Sequence, residues 1–315
     1  MINFNATDKK TGALMAMDAS ATGPCWINLV NPSDSEVNLV SEITGISDAM
    51  LKVALDEEES AHIDIEGKST LVVVDIPILE ESGSSVLYST QPLGIIFTDK
   101  HFVTVCTKES SLISDFLSER VKGFVTQKHD RFLLRLLYRN TAKFLQNLRQ
   151  IEKASHRIQT ELQKSMKNKE VFLLLELEKS LVYYSTSLRA NEAVIDKVAK
   201  FDAVRADVFD LALLDDLVIE NRQAIEMCNI YRDILSGTMD AYASIINNNV
   251  NIVMKLLTVI TIILSIPTLI ASLWGMNVRV PFADNAGGFW ILTAIIVVLT
   301  TATAYIIIKR SGRMK

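Results

Sequence analysis

Ten residues between positions 240 and 272 follow one another at alternating steps of four and three: Asp240, Ser244, Asn247, Asn251, Met254, Thr258, Thr261, Ser265, Thr268 and Ser272. That is a period of 3.5, the spacing that keeps one face of a helix turned toward a bundle axis. All but Met254 are polar, while the intervening positions from Leu256 onward are almost all Leu, Ile, Val and Ala. A seam of hydroxyls and amides makes a poor dry core. It makes a good lining for a water-filled hole in the middle of a ring of helices. Ser and Thr also serve ordinary packing between membrane helices, where small residues let backbones approach, so spacing alone leaves both readings standing. Just past Ser272 the pattern ends in Gly275-Met276-Asn277.

Such a stripe needs a helix in a membrane to carry it, and the composition supplies one. Residues 256–278 contain no charge and neither do residues 285–308. At 1.5 Å per residue each run spans roughly 34–36 Å as a helix, enough for a hydrocarbon core of about 30 Å. Two transmembrane helices are predicted, joined by a short loop near residues 279–284. Lys309, Arg310, Arg313 and Lys315 follow the second run, whereas the loop carries only Arg279 as a cation. The positive-inside rule then puts both termini in the cytoplasm, with the bulk of the chain hanging inside the inner membrane of a bacterial-type cell. Residues 1–20 lack the basic-then-apolar layout of a signal peptide. Cys25, Cys106 and Cys228 are widely spaced with no CxxC, which fits reduced cytosolic thiols. A net charge of -5 points away from nucleic acid as a partner.

Upstream of the seam the chain reads as an α/β domain over 1–128 followed by a helical stalk over 129–250. Trp26 to Val30 reads as a strand, and Asn31-Pro32-Ser33-Asp34 as a helix start with proline in its first turn. A second helix is expected from near Ser47 into the acidic run Asp56, Glu57, Glu58 and Glu59. Stretches 71–79, 87–97 and 102–106 are β-rich, with Thr98-Asp99-Lys100 turning between the last two, and a helix over about 110–125 closes the domain. No Gly-rich phosphate loop and no nucleophile–base constellation occurs, so an enzyme is not predicted. His62, His101, His129 and His156 show no ligand spacing.

Leu137, Phe144, Leu148, Ile151, Ile158 and Leu162 mark an amphipathic helix over about 130–165. A second is expected over 169–200, capped by Asn168, with Phe172, Leu175, Tyr183 and Val194 among its apolar residues. The two should pack as an antiparallel hairpin. A third helix starts before Asp216 and meets no proline until Pro267. Continuous to Asn277 it would be on the order of 90 Å long, with Gly237 as a point of flexing. The remaining divisions are a first span over 251–277, an external loop over 278–287, a second span over 288–308 and a basic tail over 309–315.

Gly275-Met276-Asn277 placed directly after the first of two C-terminal spans resembles the signature of the CorA family of divalent-cation transporters. Tyr231-Arg232-Asp233-Ile234-Leu235-Ser236-Gly237 is similar to the family's stretch upstream of the membrane, residues 251–258 (NIVMKLLT) to the start of its first span, and Trp26-Ile27-Asn28 to its N-terminal domain. The resemblance implies a funnel-shaped homopentamer whose first membrane helix lines a pore for Mg²⁺, with Co²⁺ or Ni²⁺ also passing, and whose second forms an outer ring. Gly275, Met276 and Asn277 would form the selectivity filter at the outer mouth. Asn277 suits a hydrated ion, because its amide oxygen accepts hydrogen bonds from bound waters without trapping the ion by charge; outside the motif it would read as a helix C-cap. Thr258, Thr261, Ser265 and Thr268 would offer hydroxyl rings below it. Met254 and Leu257 match an apolar constriction that gates by dewetting. Asn251 and Asp240 match polar rings at the cytosolic exit, and Lys255 beside the seam is a snorkelling anchor.

The sequence departs from the family in three places. After the tripeptide the residues are Val278, Arg279, Val280, Pro281 and Phe282, and the only acid in the external loop is Asp284. The family's deeper apolar gate falls at Ser265, next to a displaced proline, Pro267. Asp216 matches one member of the family's regulatory Mg²⁺ pairs between neighbouring subunits, but its partner positions hold Lys52 and Val53; Asp56 and Glu57 in the nearby acidic run are the substitutes. No resident cofactor is implied beyond transported and regulatory Mg²⁺. The partners implied are further copies of the chain, membrane lipid and divalent cations. A Zn²⁺ or other heavy-metal transporter of the same superfamily, and a membrane-anchored coiled-coil scaffold or sensor, are the competing readings. A scaffold seam should be Leu and Ile where this one is hydroxyl and amide.

Overall fold

A computed structural model of the chain describes residues 1–8, 11–17, 23–82, 85–165, 168–201, 204, 207–278, 280–281 and 287–311. They form two compact units, Met1–Gly237 and Thr238–Lys315.

The first unit is built on one seven-stranded sheet. In chain order the strands are β1 (Ile2–Thr7), β2 (Leu14–Ala16), β3 (Trp26–Val30), β4 (His62–Glu66), β5 (Ser69–Ser82), β6 (Ser85–Phe97) and β7 (Phe102–Cys106), arranged β2-β1-β3-β7-β6-β5-β4. The β3–β7 pairing is parallel, and both strands are mostly apolar and buried on both faces, as a parallel pair at the centre of a sheet requires, with Asn28 and Thr104 the polar exceptions. Successive side chains alternate between two cores. Trp26, Val72, Val74, Leu93 and Phe102 meet one set of helices. Ile27, Leu29, Leu71, Val73 and Val103 meet α1 (Asp34–Thr44) and α2 (Asp48–Lys52) on the other side. Trp26 finds its polar partner inside: its indole Nε1 donates to Thr104 Oγ1 at 2.9 Å, whose hydroxyl donates to Asn28 Oδ1 at 2.9 Å.

Local details differ from the sequence expectation for identifiable reasons. Ser33 caps α1 in a capping box with Glu36, so Pro32 lies before the cap and not in the first turn. The second helix stops at Lys52 and tightens into a 3-10 turn, Val53–Leu55, so Asp56 to Glu59 lie beyond it in turn conformation. That turn sits close on the sheet: a Cβ on Gly94 of β6 would come within 2.8 Å of Ala54 Cβ. The helix expected over 110–125 is α3 (Ser111–Leu117) alone; the chain turns at Glu119, whose φ is +53°, and at Gly123, φ +78°. Strands β1, β2 and β4 were not anticipated.

Three long helices complete the unit, α4 (His129–Ser165), α5 (Asn168–Val198) and the start of α6 (Val208–Trp274), which alone runs on into the second unit. All six apolar positions expected to mark α4 are buried. On α5 the expectation misses the packed face: Phe172 is 66% exposed, and Leu175 and Tyr183 also face outward, whereas Leu174, Leu177, Leu181, Tyr184 and Leu188 are buried with Val194. Asn168 is the first residue of that helix rather than its cap. The hairpin is fastened to the free edge of β5 beyond the end of β4, where Asn191 both accepts from Asp75 N (2.9 Å) and donates to Asp75 O (2.8 Å), and Asn140 donates to the same carbonyl (2.8 Å). Side-chain amides thus replace a missing strand partner. Within this unit α6 is held by Arg131, whose guanidinium binds Asp210 (2.7 Å) and Asp207 (2.8 Å).

At one end of the sheet lie two histidines, His101 buried and His129 partly buried. His101 touches Cys25 Sγ through Nδ1 at 3.5 Å, and burial with Lys100 nearby holds it below the usual histidine range. Burial outweighs a backbone hydrogen bond at Thr98 and the nearby Asp130 and Asp99 charges to lower His129 too, and its Nε2 is buried without a partner. The native state therefore binds fewer protons here than the unfolded chain, and this stability is complete above the ordinary value of about 6.5 and falls as pH drops below it. Urea midpoints of the wild-type protein should decline from pH 7.5 to 5.5, and His129→Phe should flatten that decline. Parallel curves for the two proteins would refute the assignment.

Candidate ion pathway

The second unit holds the end of α6 and α7 (Gly288–Ser311). Both helices are long and apolar enough to cross a membrane. Helix α6 continues without interruption through Gly237 and through Pro267 to Trp274. The tripeptide therefore lies just beyond the last helical residue rather than inside the helix. Gly275 N–H still bonds Ala271 O at 2.9 Å, and a Cβ at Gly275 would come within 3.3 Å of that same carbonyl oxygen. Met276 and Asn277 follow in an exposed bend. Trp274 Nε1 donates to Pro281 O at 3.1 Å, tying the helix end to the following loop. Asp284 lies outside the described residues, as do Arg279 and Phe282.

The partly buried residues on this part of α6 are Val259, Ile263, Ile266, Pro267, Ile270 and Trp274, of which Ile270 and Trp274 share a pocket with Pro281 of the loop and Leu292 and Ile295 of α7. Taking 3.6 residues per turn, this face lies about 160° around the helix from the face carrying Asn251 to Ser272. The polar stripe thus points directly away from the second helix. Every one of its ten residues is exposed, and Leu257 on its flank is 56% exposed. An open groove along it is lined by Thr261, Ser265, Thr268 and Ser272 with neighbouring leucines.

The hydroxyls share one hydrogen-bonding state. Thr258 donates to Met254 O (2.8 Å), Thr261 to Leu257 O (2.8 Å), Ser265 to Thr261 O (2.7 Å) and Thr268 to Leu264 O (2.9 Å); lower down, Ser244 donates to Asp240 O (3.1 Å). With their single hydrogens committed to the helix, these side chains offer lone pairs outward. The stripe is a column of acceptors. That suits the water shell of a cation, whose hydrogens point away from the ion.

The exposed face that carries the stripe extends further along α6. The same alternation runs back from Asp240 through Gly237, Asp233, Ile230, Glu226, Gln223 and Ile219 to Asp216, and each of these residues is exposed too. The signal was present in the spacing, but two isoleucines and a glycine interrupt its polarity. Asp233 is within 3.5 Å of Arg232. Asp216 stands on α6, while Asp56 accepts from Glu58 N–H (3.0 Å) and Glu57 lies 3.6 Å from Lys108. Among the described residues of one chain, no group of three or more acidic, histidine or cysteine side chains is placed to hold a metal. Lys52 pairs with Asp34 in its own chain.

Residues 21–310 match the family model for the CorA-like Mg²⁺ transporter protein. The chain belongs to this family. It is 29% identical over 292 residues to the cobalt/magnesium transport protein CorA of Methanocaldococcus jannaschii, covering 91% of this chain and 90% of that one. The complete structure of the CorA magnesium transporter from the same organism superposes with a TM-score of 0.84 at 25% identity, over 97% of this chain and 96% of that one. The cytoplasmic domain of ZntB from Vibrio parahaemolyticus matches with a TM-score of 0.61 at 10% identity, over 78% of this chain and 98% of that one, a likeness of fold alone. The soluble α/β domain, the long helix and the C-terminal apolar helix are thus the CorA arrangement, and a CorA-type protein is a magnesium and cobalt transporter of the membrane.

Proposed function

We propose that copies of this chain, five in the ring that the CorA resemblance implies, assemble with the α6 stripe facing a common axis and pass hydrated Mg²⁺, Co²⁺ and Ni²⁺ inward. The observation that carries this reading is the acceptor stripe itself, exposed along its whole length and turned away from α7. Facing lipid, such a column would gain nothing. Facing water at the axis of a ring, it matches the outward-pointing hydrogens of a hydrated divalent ion, which loses its inner shell reluctantly. Gly275, Met276 and Asn277 would form the outer ring, Met254 and Leu257 a constriction that closes by dewetting, and Asn251, Asn247, Ser244 and Asp240 the inner mouth.

Both termini would lie in the cytoplasm, so the inside-negative membrane potential drives influx, with roughly 4.6 kcal/mol gained per divalent ion per 100 mV. A transporter of this kind has no catalytic centre. Asp216 with Asp56 and Glu57 of a neighbouring copy would supply any Mg²⁺-dependent closure.

The test is uptake into proteoliposomes holding the full-length protein at a fixed inside-negative potential, comparing Mg²⁺, Co²⁺, Ni²⁺ and Zn²⁺. Potential-dependent Mg²⁺ uptake is expected. Zn²⁺ flux without Mg²⁺ flux would shift the protein to the heavy-metal reading, and no flux of any ion would restore the scaffold. Thr261→Val, which keeps shape and deletes the acceptor, should slow Mg²⁺ uptake by roughly tenfold or more, since a hydrogen bond worth about 1 kcal/mol is lost in each copy. Thr261→Ser should retain most of the rate.

A further inference from the structure

Pro267 lies inside α6, seven residues before the helix ends, in the run that crosses the membrane. Proline has no N–H, so the carbonyl of Ile263 one turn earlier has no backbone donor. No hydroxyl of α6 replaces it: Thr258, Thr261, Ser265 and Thr268 donate to the carbonyls of residues 254, 257, 261 and 264. In hydrocarbon an unsatisfied carbonyl is costly, and donors from a neighbouring helix are the usual remedy.

The two covered faces fix which neighbour is in register. On α7 the covered residues are Gly288, Leu292, Thr293, Ile296, Thr300, Thr303, Ala304 and Ile307. Ile270 and Trp274 share a pocket with Leu292, Ile295 and Pro281, which sets the antiparallel alignment at the outer end. Antiparallel helices keep that alignment at equal steps: seven residues inward from Ile270 is Ile263, and seven inward from Leu292 and Ile295 is the stretch 299–302, where Thr300 is the partly buried residue. The residue facing the orphaned carbonyl is therefore a threonine.

The geometry points to Thr300 as a positioning residue for transport, its hydroxyl donating to Ile263 O and holding the helix that carries the stripe at its interior proline. In the present rotamer the hydroxyl donates to Ile296 O at 2.7 Å. That carbonyl is one turn behind Thr300 in α7 and keeps the Thr300 N–H as its helical partner, so releasing the hydroxyl orphans nothing. Moving the hydrogen to Ile263 O satisfies the carbonyl that Pro267 leaves without its helical donor. The role of Thr300 in transport rests on reading the α6 stripe as the pathway; the hydrogen bond itself does not.

A double-mutant cycle on the full-length protein separates the two. Thr300→Val should slow Mg²⁺ uptake about three- to tenfold, the range expected for one interhelical hydrogen bond in a membrane, and lower the Tm in detergent by ~2–4 °C. Thr300→Ser should restore both. In a Pro267→Ala background, where residue 267 regains its N–H and satisfies Ile263 O, Thr300→Val should change neither. Equal effects of Thr300→Val in both backgrounds would overturn the bond, as would the same coupling appearing for Thr303→Val instead. Coupling in Tm with none in flux would uphold the bond and refute the stripe as pathway.

Discussion

Asn277→Ala should reduce Mg²⁺ uptake into proteoliposomes by at least about 100-fold while leaving assembly, followed by size-exclusion chromatography, unchanged. Asn277 is exposed in a bend beyond the last helical residue, away from the buried core. In a ring, each copy offers one amide oxygen to the ion's bound water. Each such bond is worth about 1 kcal/mol, and tenfold corresponds to 1.4 kcal/mol, so losing several at once exceeds a factor of 100. Asn277→Asp makes the complementary case. A ring of carboxylates should bind the ion more tightly and release it more slowly, so apparent affinity rises while maximal rate falls. Normal uptake by assembled Asn277→Ala would remove the tripeptide from the pathway, whatever role the lower stripe plays.

The parts of the molecule legible in its sequence are those where one physical signal acts alone. β3 and β7 are short, mostly apolar runs because both faces of each are covered, and their limits are legible to the residue. The stripe on α6 was legible because polar residues at a 3.5 period in a charge-free run have few structural explanations. What failed to show is what depends on a partner. On α5, Leu173 to Leu175 and Leu181 to Tyr184 present apolar residues to two faces at once, so only the position of the sheet and of α4 decides that Leu174 and Tyr184 are inside and Phe172 is outside. The short edge strands β2 (LMA) and β4 (HIDIE) are three and five residues long and contain no fully buried residue, so each is too short a signal to stand out in the sequence. Thr300 is an ordinary membrane threonine in the sequence, and only the proposed register between α6 and α7 gives it a role.

Asp115 shows the same dependence and carries the largest expected effect on stability. In sequence it is one acid in SLISDFL; in the fold its side chain is 4% exposed beneath three cations. Arg139 donates to it from Nη2 (2.6 Å) and Nε (3.1 Å), Lys143 lies 2.7 Å away, and Arg120 stands at 3.5 Å. Burial pushes the carboxyl upward, and the hydrogen bonds and charges of Lys143 and Arg139 more than reverse it, leaving Asp115 below the usual carboxylate range. Its contribution to stability is therefore present above the unfolded value of about 3.9 and lost as pH falls through the lower folded value. Asp115→Asn keeps the shape and leaves Lys143, only 14% exposed, as a buried cation without its carboxylate. Removing one partner of a buried cluster costs about 3–5 kcal/mol, so the urea midpoint should drop by that equivalent at neutral pH. Adding Lys143→Met to Asp115→Leu should recover part of the loss, because an apolar pair of similar volume needs no compensation. A midpoint for Asp115→Asn within about 1 kcal/mol of wild type would mean that Lys143 and Arg139 reach water freely, and that α3 is held on α4 by Leu112, Ile113 and Phe116 alone.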